Sequence, residues 1–287
     1  MLRPTVQAFF DDATFTVSYL VSDPRSRHAA IIDPVLEFDA RSGRTATRGA
    51  DGILAAAAEQ GLMVDWLLET HVHADHLTAA PYLSRRTGAP IAIGAGIVAV
   101  QRTFGPLFDA RDLVPDGSQF GRLLADGERF TLGDVPVEVL HTPGHTPACA
   151  TYAIGDALFV GDTLFMPDFG TARCDFPGGD AATLYRSIRR ILSRPPDSRI
   201  FVGHDYKAPG RDAYAWETTV ADERARNVHV HDGVDEAAFV AMRTERDRKL
   251  ALPALILPAV QVNMRAGAFP PPEADGHVYL KLPVDRI

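Results

Sequence analysis

Cysteine is scarce: the two in 287 residues, Cys149 and Cys174, exclude a disulfide scaffold and fit a reducing compartment. No apolar run approaches the roughly 20 residues needed to span a bilayer. The opening MLRPTVQAFFDD has too short an apolar stretch for a signal peptide, and its acids do not suit a transit peptide. Bases are outnumbered, 29 Lys and Arg against 37 Asp and Glu, and the formal net charge of −8 disfavours nucleic acid and anionic membrane as partners. Internal repeats, low-complexity segments and clear linkers are also missing. What remains is ordinary globular composition, 46% hydrophobic and 23% charged, on a chain long enough to bury a sizeable core. These absences predict a soluble, cytoplasmic protein.

Residues 14–21, TFTVSYLV, alternate apolar and polar, and AAIID follows a turn, so the pair predicts a hairpin. Residues 34–50 show no periodicity and read as a loop. DGILAAAAEQ predicts a helix stopped by Gly61, MVDWLLET a buried strand, LTAAPYLSRRTG a helix ending at Gly88, and IAIGAG a short strand. IVAVQRTF is helix-compatible. From residue 128, ERFTL, VPVEVLHT, ACATYAIG and ALFVGDTLF read as strands separated by turns. DAATLYRSIRRILS has helical spacing with Asp180 as N-cap, and RIFVGHD is a further strand. WETTVADERARN and DEAAFVAMRTERDRKL predict amphipathic helices, and the proline-rich tail is weakly strand-like. Strands precede helices in two blocks, which predicts a layered α/β (α+β) architecture.

The stretch ETHVHADHLTAA crowds His71, His73, Asp75 and His76 together directly after an apolar strand. His145 in HTPGHTP, Asp162 in LFVGD and His204 in RIFVGH also stand at or just past strand ends. If those strands are neighbours, the four positions meet on one rim, where open α/β sheets commonly hold ligands. A convergent set of imidazoles and carboxylates is costly to desolvate unless a divalent metal compensates it. Neutral imidazole with carboxylate suits zinc or iron. Pro143 and Gly144 form a turn that can aim His145 inward, and Gly161 lets the backbone bend beside Asp162. A single histidine at a strand end is more often a surface or hydrogen-bonded core residue, and His141 is read so. His28, His229, His231 and His277 are read as ordinary.

HVHADH, HTPGHTP, VGDTLF and VGHDY, in this order, resemble the metallo-β-lactamase superfamily, whose fold is an αββα sandwich with a metal site on one edge. GDTLFMPDFGTARCDFPGGDAATLYRSI, GHDYKAPG, TTVADERARN and PAVQVNMRAG resemble the persulfide dioxygenases, also called sulfur dioxygenases, and within them the bacterial β-lactamase hydrolase-like branch. The likeness covers nearly the whole chain. It implies one domain over 1–287, with a core of about 1–210 and C-terminal helices and tail over about 211–287. It implies one Fe(II) per chain held by His71, His145 and Asp162, a facial triad with positions left open for sulfur and oxygen. His73, Asp75, His76 and His204 would then hydrogen-bond ligands and bound water. The implied activity is oxidation of a low-molecular-weight persulfide, of glutathione or a related thiol, by O2 to sulfite and free thiol, in detoxification of sulfide and sulfane sulfur. Homodimerisation is a further implication.

The ligand types alone leave a second arrangement open. His71, His73 and His145 could bind one ion and Asp75, His76 and His204 another, with Asp162 bridging. Two zinc, iron or manganese ions so placed resemble glyoxalase II, a thioester hydrolase. The basic helical signature of its glutathione site is not found here. A non-catalytic binding protein is a third class, against which the intact ligand set argues.

GTARCDFPGG, residues 170–179, is the expected substrate loop. Arg173 matches the family's loop arginine and suits a substrate carboxylate or a sulfur oxyanion; pairing with Asp175 as a brace is the alternative. Cys174 could accept sulfane sulfur or simply fill space. Cys149, among apolar neighbours, is read as core. Tyr206 and Lys207 are expected beside the thiol carrier.

Overall fold

The first apolar alternation forms an antiparallel meander. Strand β1 (Thr5–Asp11) pairs with β2 (Thr16–Ser22), which pairs with β3 (His28–Ile32), in a computed structural model that describes residues 2–286. Strands β4 (Val35–Asp39) and β5 (Arg44–Ala46) lead to helix α1 (Arg48–Glu59). There follow β6 (Met63–Glu69), the short β7 (Leu77–Thr78), α2 (Ala80–Thr87), β8 (Ile91–Gly94), α3 (Ile97–Leu107) and β9 (Arg122–Leu124). The second half runs through β10 (Arg129–Leu132), β11 (Val135–His141), β12 (Ala150–Ile154), β13 (Ala157–Phe159) and α4 (Ala181–Ile191). It closes with β14 (Arg199–Phe201), β15 (Glu217–Thr219), α5 (Val220–Arg226), α6 (Glu236–Asp247) and α7 (Ile256–Asn263).

Two six-stranded sheets result, in the orders β1-β2-β3-β6-β8-β9 and β10-β11-β12-β13-β14-β15, with β5-β4-β7 as a small third sheet. Pairings β3–β6, β6–β8, β8–β9 and β13–β14 are parallel. Side-chain alternation explains the layers. Val17, Tyr19 and Val21 of β2 point between the sheets, against Val137, Val139, Tyr152 and Phe159 of the second sheet. Leu20 and Ile31 point outward to Ala50, Ile53 and Ala57 of α1 and Leu83 of α2. On the far side, Leu158 and Ile200 meet Leu184, Ile188 and Ile191 of α4 and Phe239 of α6. This is the αββα sandwich. Buried tyrosines tie the sheets: Tyr19 donates to the carbonyl of Val202 at 2.6 Å, and Tyr152 to that of Glu69 at 2.7 Å.

The helix starts follow their caps. Asp180 accepts from the Thr183 amide at 2.7 Å, and Thr219 accepts from that of Asp222 at 3.1 Å. The second cap moves the start of the WETTVADERARN helix to Val220 and leaves Glu217–Thr219 to edge strand β15. The stretch 34–50 is not a plain loop: Val35 and Leu36 of β4 pair with Thr78 and Leu77 of β7. Strand β1 turns Val6, Ala8 and Phe10 to the core but breaks its polar alternation at Phe9, and α7 is buried on most sides, so neither shows a clean period in sequence. The tail forms no strand among the described residues after α7.

Candidate metal centre

Four strand ends converge. His71 follows β6, His145 lies between β11 and β12, Asp162 follows β13, and His204 follows β14. The two sheets are stitched at this rim by the Val17 amide donating to the Gly203 carbonyl at 2.8 Å and the Ala150 amide to that of Thr70 at 2.9 Å. Two glycines make the approach possible. A Cβ on Gly144, whose φ is +134°, would stand 2.3 Å from the backbone of Leu184. One on Gly161 would stand 2.4 Å from the hydroxyl of Thr70, the residue that orients His71.

His71, His145 and Asp162 form one buried group. Nε2 of His71 lies 3.9 Å from Oδ2 of Asp162, and Nε2 of His145 lies 3.8 Å from the same oxygen. Both rings are held from behind. Nδ1 of His145 donates to the carbonyl of Arg173 at 2.7 Å. Thr70 Oγ1 gives its proton to Asp33 at 2.7 Å and so accepts from Nδ1 of His71 at 3.0 Å. Each Nε2 therefore carries a lone pair aimed at a carboxylate. Burial, with His73 and His145 close by, pushes the His71 pKa well below that of a free imidazole. Two imidazole nitrogens and a carboxylate oxygen, buried together and too far apart to hydrogen-bond, are the donor set of a divalent cation. Nε2 of His71 has no partner within the protein.

His73, Asp75, His76 and His204 form a second group. Asp75 Oδ2 is 3.4 Å from Nδ1 of His76 and 3.3 Å from Nε2 of His204, which is also 3.3 Å from Asp162 Oδ1. Burial opposes charge on His204, but Asp162 and Asp75 outweigh it and raise its pKa. Burial likewise opposes ionisation of Asp75, yet His204 and His76 hold its carboxyl well below the usual range. His73 sends Nε2 away from the centre, 3.1 Å from Asp33 and 3.4 Å from Glu69. Burial works against its protonation, but those two carboxylates raise its pKa well above normal. Nδ1 of His73 and Nε2 of His76 lack partners.

Residues 11–204 match the model of the metallo-beta-lactamase superfamily. The chain belongs to that superfamily. It is 51% identical over 284 residues to the beta-lactamase hydrolase-like protein of Xylella fastidiosa, covering 99% of this chain but only 65% of that protein. It is 45% identical to glyoxylase B2 of Dictyostelium discoideum, over 99% of this chain and 98% of the relative. It is 32% identical to the human mitochondrial persulfide dioxygenase ETHE1, over 93% and 90% of the two chains. The crystal structure of ETHE1 from Myxococcus xanthus superposes with a TM-score of 0.73 at 31% identity, covering 92% of this chain and all of the other.

As in a superfamily built around an edge site, a cavity of about 510 Å³ opens onto this metallo-beta-lactamase centre. Asp75, His145 and Asp162 form its floor, and Phe15, Phe165, Phe169, Phe176, Tyr206 and Leu255 are among its walls. Tyr206 stacks on His204 with centroids 5.6 Å apart. Arg173 lines the cavity, but its guanidinium is engaged: Nε and one Nη reach Asp175 at 2.7 and 2.8 Å, and the other Nη donates to the Ala251 carbonyl at 2.6 Å. The brace is the arrangement present. Cys174 does not line the cavity. Its Sγ sits 3.4 Å from Asp247, and burial together with that carboxylate pushes the thiol up to about 12. Lys207 also lies off the lining, its ammonium 4.4 Å from the Tyr214 ring centroid. Cys149 is buried, its thiol raised to about 12 by burial.

Several supporting residues carry no motif. Asp33 and Glu69 end apolar strands and were absorbed into their hydrophobic pattern. Asn263 of α7 donates to the carbonyls of His73 and His76 at 2.9 and 2.8 Å and accepts from the Thr78 amide at 2.9 Å. Arg243 and Asp247 of α6 form a buried pair one helical turn apart, and Asp247 also accepts from the Cys174 amide at 3.0 Å. His229, read as ordinary, accepts from the Thr171 amide at 3.0 Å and fixes the other end of the loop. No single sequence window contains these partners. No helix among the described residues is long and apolar enough to cross a membrane.

Proposed function

We propose that this protein is a mononuclear non-haem iron dioxygenase that oxidises a low-molecular-weight persulfide. The reaction is RSSH + O2 + H2O → RSH + H2SO3: the S–S bond breaks, the outer sulfur is oxidised from the sulfane level to sulfite, and dioxygen takes the four electrons. The observation that carries this reading is the triad of His71 Nε2, His145 Nε2 and one oxygen of Asp162, whose second oxygen faces His204. Two imidazoles and a carboxylate are the ligand set of oxygen-activating ferrous sites. Likeness to persulfide dioxygenases supports it further. Fe(II) held there supplies dioxygen activation and a soft acceptor for sulfur, which no side chain offers.

The chain's own residues do the rest. Thr70 and the Arg173 carbonyl fix the two imidazoles. His204 sets Nε2 3.3 Å from an oxygen of Asp75 and 3.3 Å from one of Asp162, and these carboxylates favour a proton on the ring, so the imidazole steers Asp162 electrostatically. The aromatic walls orient the organic group of the persulfide and exclude stray water.

A two-ion thioester hydrolase is the second reading. It is favoured by the unpartnered Nδ1 of His73 and Nε2 of His76 in the second group, and by likeness to a protein named glyoxylase. Metal analysis of protein purified under nitrogen separates the readings. About one iron per chain, with oxygen uptake on glutathione persulfide, supports the dioxygenase. About two ions, with hydrolysis of a glutathione thioester and no oxygen uptake, replaces it with the hydrolase. A chain that holds no ion is neither.

A further inference from the structure

The cavity's charges are unevenly committed. Only Asp75 and Asp162 supply acids to its lining, and both belong to the floor. Three arginines line it, and two are spent. Arg173 is forked onto Asp175, and Arg243 is ion-paired to Asp247 while donating to the Thr171 carbonyl at 3.0 Å. Arg246, one turn along α6 from Arg243, faces the same cavity and has no ion pair among the described residues. Apart from His145, the hydroxyls of Thr14, Thr171 and Tyr206 are the other polar side-chain groups of the lining, and none of them is charged; the rest is apolar. Three of the chain's exposed large hydrophobics, Phe15, Tyr206 and Leu250, stand together on this lining.

Glutathione carries two carboxylates and an ammonium. Beyond the floor, this cavity offers one free cation and no acid for them, and a charge desolvated without a partner is costly. An aromatic or alkyl group with one anionic terminus meets the same surface without loss: its body covers the exposed rings, and its terminus meets a guanidinium fork. We propose that the preferred substrate is a persulfide whose organic group is apolar, carries a single anion and docks on Arg246. This rests on the dioxygenase reading above.

The test uses the iron-loaded protein and three persulfides: glutathione persulfide, benzyl persulfide, and benzyl persulfide bearing a para-carboxylate. The carboxylated benzyl compound is expected to show kcat/KM about ten-fold above glutathione persulfide, the scale of one charge-assisted contact. Arg246→Gln is expected to lower the preference for the carboxylated over the uncharged benzyl compound by about ten-fold, through KM. Arg248→Gln, on an exposed residue outside the lining, leaves that ratio alone. Glutathione persulfide turned over as well as the carboxylated benzyl compound, or a ratio indifferent to Arg246→Gln, overturns the inference while leaving the dioxygenase standing. If none of the three consumes oxygen, the dioxygenase reading falls instead. Calorimetric binding of the corresponding S-methyl thioethers to the same protein then still decides the cavity's preference: tighter binding of glutathione's thioether refutes it, and tighter binding of the carboxylated benzyl thioether, weakened by Arg246→Gln, upholds it.

Discussion

Nε2 of His204 sits 3.3 Å from Oδ1 of Asp162, the carboxylate oxygen that His71 and His145 leave aside. In the one-iron reading, His204 steers Asp162 and does not itself bind the ion. His204→Gln should then retain iron with affinity weakened about 10- to 100-fold, the usual cost of losing such a partner. His145→Ala should hold no iron and take up no oxygen. Elemental analysis after equal dialysis compares them; equal loss in both variants would make His204 a ligand.

Arg173 joins two segments far apart in the chain, 170–179 and the turn after α6. Arg173→Ala should free both, so amide hydrogen exchange speeds up in each while the sandwich core is unchanged. Oxygen uptake should show a lower kcat/KM. Unaltered exchange near Leu250 and Ala251 would deny the brace.

Asn263 satisfies three buried backbone groups of the metal loop. Asn263→Leu leaves them unpaired, at about 1–3 kcal/mol for each such group. Thermal unfolding should shift down by several degrees or more, and bound iron should fall in proportion to the loosened loop. A variant with parental melting and iron content would show that α7 is dispensable to the site.

Glu223 is buried in α5 beside Asn227, and burial raises its carboxyl to about 8 from an ordinary 4.5. Between those values the folded chain keeps a proton that the unfolded chain has released. Stability therefore falls as pH rises from about 4.5 to 8, with a limiting slope of about 1.4 kcal/mol per pH unit. Glu223→Gln removes this term, so its urea midpoint relative to the parent should climb from pH 5 to pH 8. A constant difference across that range would place the proton elsewhere.

The Cys174 thiol, held near 12 and set against Asp247, should be inert. Native protein should resist iodoacetamide at pH 8 over hours, and Cys174→Ala should oxidise persulfide at the parental rate. Rapid labelling of Cys174 by mass spectrometry would contradict this.

Much of the sandwich was legible because its strands alternate or run wholly apolar, and because Asp180 caps α4 in the expected way. The converging histidines were legible for a different reason: each stands where an apolar strand stops. What escaped was whatever depends on distant pairing. Strand β4 gains its register only from β7, and α7 owes its helix to burial on nearly every side. Asp33 and Glu69 looked like strand termini until His73 turned between them. Arg173 could not be assigned from its neighbours alone, because one of its acceptors lies 78 residues downstream.

In the one-iron reading the ligands all lie within 71–162, whereas Arg243, Arg246 and the 250–255 stretch furnish one side of the cavity. On that reading chemistry and selectivity have separate addresses along the polypeptide. Exchanging residues 250–255 with those of a relative should then change which thiol persulfide is preferred while iron content and oxygen uptake are kept.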